Sequence, residues 1–363
     1  MASATSSAAK RLIFAPESGL LIVIAMMLLG LTLAADTIQR MDPTTGQMVA
    51  MNAFLNAQNL LGVATNASFI AVLALGTMGI IIAGGIDLSI GSMYALAGVG
   101  GAIALRHVQA AYHGVPASGA EIPLAGGAPM LVALAVLLVA SVGTGAACGV
   151  VNGLGTVLLR VHPFIITLGG MAAYRGVAFV VTGGQTESTV PQSIIGGFFR
   201  AEVMGVSIVP AAIMFAIAAL LIFALSMTVF GRRVYAIGGN ETAARYAGVP
   251  VGPIRVWLFV IGGAAAGLSA AMTVGFYGSA QSAAGNAYEL KAIAAAVVGG
   301  VSLAGGRGTA LGVLLGALVI QLIENGIIVL KIDSNYTNII IGLAIVAAVV
   351  VDQVKSRLSP AGR

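Results

Sequence analysis

The stretch 231–255 carries Arg232, Arg233, Glu241, Arg245 and Arg255, and it lies between two uncharged apolar runs, 207–230 and 256–274. A segment this charged cannot lie in lipid, because hydrocarbon offers its charges no solvation. It must therefore be a water-facing connection between two membrane helices. Its positive balance places it on the cytoplasmic side. The rest of the composition agrees: 59% of the 363 residues are hydrophobic and 8% are charged, against about half and a quarter in soluble domains. A water-soluble globule is excluded, and at about 20 residues per span the chain has room for about ten spans.

The expected fold is an all-α membrane protein with a single transmembrane domain over 18–352. It is preceded by a cytoplasmic tail, 1–17, and followed by another, 353–363. The spans read as 18–36, 62–83, 90–106, 128–158, 164–182, 207–230, 254–275, 289–303, 309–330 and 337–351. A retained first helix competes with a secretory signal peptide, but its apolar run exceeds the usual length of about 7–15 residues. In this arrangement eleven basic residues face inward: Lys10, Arg11, Arg160, Arg232, Arg233, Arg245, Arg255, Arg307, Lys355, Arg357 and Arg363. Only Arg40, Arg106, Arg175, Arg200, Lys291 and Lys331 are external or embedded. That asymmetry requires both termini inside.

Within 231–253, the expected cytoplasmic loop, residues 241–247 favour a short helix. Asn240 is its N-cap, and Gly248 with Pro250 stops it. It is either a docking surface or an ordinary solvated loop. The run G-G-I-D-L-S-I-G-S at 84–92 turns the chain after the second span. Asp87, with Ser89 and Ser92, either caps the third helix against its dipole or sits at a hinge, which Gly84, Gly85 and Gly91 permit. The run I-I-I-A-G-G-I-D-L at 80–88 is similar to A-A-V-V-G-G-V-S-L at 295–303, as an internal repeat or shared glycine-rich composition would produce.

Arg175, inside the fifth span, needs a carboxylate partner or a water-filled path; Glu289 and Glu324 are the candidates, with Asn325 beside the latter. Small residues at 145-149-153, 263-267 and 312-316 let helix backbones approach closely, within the chain or between two copies. Trp257, Tyr235 and Tyr246 suit interfacial anchoring. His107 and His113 share an external loop without further ligands, so no metal site is expected. Cys148 is the one cysteine, so no intramolecular disulfide forms.

The run G-G-N-E-T-A-A-R-Y-A-G-V at 238–249 resembles the cytoplasmic coupling segment of the membrane subunits of ABC-type monosaccharide importers, of the ribose and xylose kind. The 84–92 motif, H-P-F-I-I-T-L at 162–168 and the run from Ser279 to Gly308 resemble that family too, in its order. The resemblance implies the larger, type II-like importer fold. It also implies a homodimer, a periplasmic sugar-binding protein outside and an ATPase subunit gripping Asn240, Glu241, Ala243, Ala244, Arg245 and Gly248. ATP and magnesium would act on that partner, and this chain would bind no cofactor. At Glu324 the resemblance leads one to expect a neutral, asparagine-like residue.

No G-x-x-x-x-G-K-[ST] loop occurs, so the chain does not hydrolyse ATP itself. No catalytic constellation suggests an enzyme, and no feature suggests nucleic acid. Few charges fall within the spans, so a neutral polar solute is expected; the resemblance narrows it to a monosaccharide crossing a bacterial inner membrane. The rival readings are a sister permease for a nucleoside, a branched-chain amino acid or a signalling sugar, and an ion-coupled secondary transporter.

Overall fold

The computed structural model describes residues 18–41, 46–118, 122–203 and 206–358. The tail 1–17, Asp42, Pro43 and Arg363 lie outside the described residues. The described chain is mostly helical. Its principal helices are α1 (Ser18–Ala34), α2 (Ala57–Ile82), α3 (Ile90–His113), α4 (Met130–Leu158), α5 (Pro163–Thr182) and α6 (Val209–Met227), then α7 (Val229–Gly239), α8 (Glu241–Tyr246), α9 (Val251–Tyr277), α10 (Tyr288–Val298), α11 (Ala310–Val329) and α12 (Thr337–Leu358).

Six of these, α2, α4, α5, α6, α9 and α11, are long and apolar enough to cross a membrane. Their burial separates them into core and periphery. In their most apolar windows, 94% of α2 and 72% of α9 is buried, against 11% of α5 and 17% of α6. Helix α9 packs on α4, α2 and α3, and α11 packs on α10 and α2. A helix apolar on all sides suits either position, because lipid solvates it as well as protein does. Sequence therefore does not distinguish the two; packing does.

The small residues are spent inside the chain. A Cβ on Gly149 would stand 2.2 Å from the Phe259 carbonyl oxygen, and one on Gly267 would stand 2.2 Å from that of Ser141. The same holds for Gly312 and Gly316, each 2.0 Å from a carbonyl oxygen of α10 or its C-cap, Gly299 and Ala295 respectively. Glycine lets backbones touch where any side chain would hold them apart.

Five expectations are corrected. The sixth helix stops at Met227, because extended Thr228 (φ −106°, ψ 164°) breaks it and caps α7 by accepting from Gly231 N. Residues expected in a loop thus form α7, whose Gly231, Val234 and Ile237 recur on one face and are buried. His107 and His113 lie on α3, which continues to His113, past the expected end of the third span at 106. The connection between the first two expected spans contains a hairpin, Thr37–Met41 paired antiparallel with Met48–Asn52, and α2 starts early, at Ala57, where Asn56 caps it. At the other end, α12 continues through Leu358, beyond the expected boundary of the tail.

The fifth correction is the largest. Helix α10 has 11 residues, or about 16 Å at 1.5 Å per residue, half of a bilayer core of about 30 Å. The segment before it, expected outside, enters the protein. Ala280 and Ser282 are buried, Ser282 Oγ donates to Ala178 O (3.1 Å), and Gly285 lies against Gly91 and Tyr94. Irregular backbone at this depth is stable only where protein or a water-filled cavity satisfies its polar groups.

Candidate coupling and pathway site

The charged turn is built as a capped helix. Asn240 Oδ1 accepts from Ala243 N at 2.9 Å, which satisfies a donor in the first turn of α8. Gly248, at φ +77°, closes the other end: its N–H donates to Arg245 O (3.0 Å), and Val249 N donates to Ala244 O (3.0 Å). Glu241 pairs with Arg245 one turn on (2.7 Å) and with Arg255 on α9. Burial pushes the Glu241 carboxyl upward, but hydrogen bonds and charge from Arg245 and Arg255 prevail and hold it below the usual carboxylate range. Ala244 is buried, whereas Tyr246 is 89% exposed. The short helix is therefore fixed to the core at Ala244 and exposed to solvent at Tyr246. An open cavity of about 650 Å³ adjoins it, lined by Gly84, Arg160, His162, Glu241, Arg245 and Arg255 among others.

Asp87 does not cap α3. Its Oδ1 accepts from Ser89 N (2.8 Å) and Ser89 Oγ (2.6 Å), and Ser89, the N-cap residue, makes no side-chain cap bond. The carboxylate instead folds its own turn, a local bond that Asp forms readily. From there a buried chain of bonds runs outward. Asn152 Nδ2 donates to Ser89 Oγ (2.8 Å), Tyr174 Oη donates to Asn152 Oδ1 (2.8 Å), and Leu88 N donates to Thr167 Oγ1 (3.2 Å). The turn is thus tied to α4 and α5. Asn152 and Tyr174 escaped sequence reasoning, since a single polar residue in an apolar helix names no partner. Thr167 sat unremarked inside the 162–168 motif. His162 and Pro163 of that motif start α5, with His162 Nδ1 accepting from Phe164 N (3.3 Å).

The 80–88 and 295–303 similarity is a shared helix ending. Gly84 (φ +78°) follows α2 and Gly300 (φ +87°) follows α10, each donating to the carbonyl three residues back. The equivalent glycine is thus Gly300, one place on from the Gly299 that the sequence alignment pairs with Gly84. The two turns come together: Gly306 N donates to Ile82 O at 2.8 Å, and Tyr235 Oη of α7 donates to Gly308 O at 2.8 Å.

Arg175 forms no ion pair with Glu289 or Glu324. Its Nη1 donates to Ser282 O (2.7 Å) and to Ala284 O. A guanidinium is a donor with no acceptor, and the irregular segment before α10 presents carbonyls that no helix uses. Glu324 pairs with Lys291 (2.5 Å), both side chains largely buried, and Lys291 Nζ also lies 4.7 Å from the Tyr288 ring centroid. Asn325 exchanges amide bonds with Asn59 of α2 at 2.7 and 3.0 Å. Glu289 Oε2 is buried and has no hydrogen-bond partner among the described residues; it lies where a Cβ on Gly91 would stand. Arg106 Nη1 binds both oxygens of Glu187 (2.7 and 2.9 Å), and the Glu187 backbone bridges Ala280. No group of three or more His, Cys, Asp or Glu suited to a metal occurs among the described residues.

Six helices long and apolar enough to cross a membrane mark a multi-pass membrane protein. The chain belongs to the family described as branched-chain amino acid transport system / permease component, whose model matches residues 59–349. It is 36% identical over 305 residues to the ribose import permease protein RbsC of Escherichia coli K12, covering 83% of this chain and 88% of that one. Identity is 32% over 304 residues with the D-allose transport system permease protein AlsC of the same organism, covering 84% and 86%. With the galactose/methyl galactoside import permease protein MglC of Haemophilus influenzae it is 34% over 339 residues, covering 92% and 93%. The chain is a transporter subunit of an inner membrane, not an enzyme.

Proposed function

We propose that two copies of this chain form the pathway of an ATP-driven importer of a monosaccharide, each with ten spans and both termini inside. A soluble sugar-binding protein docks on the external loops, and an ATPase subunit, which holds ATP and magnesium, grips Asn240 to Gly248. The observation that carries the mechanical part is the Glu241–Arg255 ion pair. It joins the helix offered to the motor to α9, which packs against α2, α3 and α4. A force on α8 would thus reach the core without passing through a slack loop.

The sugar class is supported by the transport names of the relatives. The family description mentions branched-chain amino acids, but a cavity beside the re-entrant segment has no charged residue to hold an amino acid's ammonium or carboxylate group. The ten-span reading adds α1, α3 and α12 to the six most apolar helices and takes α10 together with the irregular segment before it as the remaining crossing. The low burial of α5 and α6 leaves surface for lipid and a second copy.

Reconstitution tests the whole reading. Vesicles holding the permease, its ATPase and its binding protein are expected to accumulate ribose, allose or galactose on addition of ATP. Accumulation driven by an ion gradient with no ATPase present would overturn it.

A further inference from the structure

The irregular segment before α10 does more than complete the fold: with α3 and α9 it lines a half-open cavity of about 230 Å³. Small-molecule pockets usually measure about 300–1,000 Å³, so this one suits a single sugar ring and excludes an oligosaccharide. Among its lining residues are Tyr94, Tyr277, Tyr288, Thr273, Ser279 and Gln281, and none of the lining residues is charged.

The polar groups are distributed as a neutral ring with hydroxyls would require. Tyr277 is half exposed, and its hydroxyl donates to Asn66 Oδ1 at 2.7 Å, which fixes the orientation of the ring. Phe69 and Phe276 meet it edge to face, with centroids 6.1 and 5.2 Å away. Tyr94 and Tyr288 pack on one another with centroids at 5.1 Å. The side chains of Ser279 and Gln281 have no hydrogen-bond partner among the described residues, and Gln281 is exposed. Glycines open the walls: a Cβ on Gly98 would stand 3.3 Å from Val274, and one on Gly285 would stand 2.8 Å from Tyr94. The Glu187–Ala280 bridge, fastened by Arg106, lies at the rim.

We propose that this cavity is a transit site for one monosaccharide, its C–H face against the ring of Tyr277 and its hydroxyls on Ser279, Gln281 and Thr273. Amphipathic aromatic side chains suit such a solute, with an apolar face and polar edges. The permease would then take part in selection, which would not rest with the soluble binding protein alone. This inference rests on the monosaccharide reading above.

The test uses the reconstituted importer, with uptake and binding-protein-stimulated ATP hydrolysis measured on the same vesicles. Tyr277→Ala is expected to lower uptake about tenfold while stimulated hydrolysis persists, and Tyr277→Phe, which keeps the ring, restores most of the uptake. Gln281→Ala is expected to alter the relative uptake of competing ribose, allose and galactose. Should Tyr277→Ala fail to assemble, the exposed Gln281 position decides alone. Wild-type uptake and unchanged sugar preference in Gln281→Ala, with wild-type uptake in any assembled Tyr277→Ala, would overturn the site. A wild-type importer that accumulates none of these sugars would instead overturn the reading beneath it, and the site with it.

Discussion

Gly145 and Gly263 face each other so closely that a Cβ on either would stand 2.1 Å from the carbonyl oxygen of the other. The α4–α9 seam is therefore a contact of backbones, and it continues through Gly149 and Gly267. Gly149→Leu is expected to force the helices apart and cost about 1–3 kcal/mol or more, the range for overpacking a filled core. Gly143→Ala on the same helix, where nothing lies within 4 Å, should be neutral or slightly stabilising. Thermal unfolding of the purified variants in detergent distinguishes the two.

Glu241 holds the short helix α8 to α9, so Glu241→Ala is expected to leave the amount of permease in the membrane unchanged and to reduce uptake several-fold. Normal transport in that variant would remove the mechanical link proposed here. The pH response has a definite sign. Because the folded-state carboxyl sits below its ordinary value, of about 4.3, its stabilisation is complete above that value and is lost as pH falls through the folded one. The stability difference between wild type and Glu241→Gln should be constant from neutral pH down to about 4.3 and vanish only in stronger acid.

Arg175 fastens α5 to the segment entering α10. Arg175→Leu removes the donor to Ser282 O and Ala284 O and leaves buried carbonyls unpaired, at about 1–3 kcal/mol each. Reduced assembly or reduced uptake is expected, measured by membrane abundance and sugar accumulation. Glu289→Gln should leave the α5 clamp in place, since Arg175 donates to the Ser282 and Ala284 carbonyls and not to that carboxylate.

Lys291 and Glu324 form an ion pair with both side chains about 85% buried. Removing one partner strands a charge, at about 3–5 kcal/mol. Lys291→Met and Glu324→Gln are each expected to be destabilising, and the double variant much less so than their sum. A double-mutant cycle on unfolding temperature measures that coupling.

Helix existence and type were legible because membrane helices must be apolar throughout and must hide their backbone. The helix start at Asn240 follows an equally local rule, since its side chain caps its own helix. The seam glycines were visible as a spacing. Whether they served a fold or a dimer was not, because small residues suit both. Asn152 and Tyr174 were silent, since one polar residue in an apolar run carries no address.

By itself, the sequence determined that this chain enters lipid, where most of its apolar helices lie along the chain though not where they end, and which short charged turn stands exposed. It misplaced Arg175's partner and the segment before α10, because both depend on carbonyls freed by irregular backbone at depth. Only the tertiary structure decided that Ser279 and Gln281 border a cavity, that Asp87 bonds its own turn, and that Glu324 answers Lys291. Local periodicity reports whether a residue meets water or hydrocarbon. Which polar group meets which, across more than a hundred residues of chain, depends on how the helices are stacked.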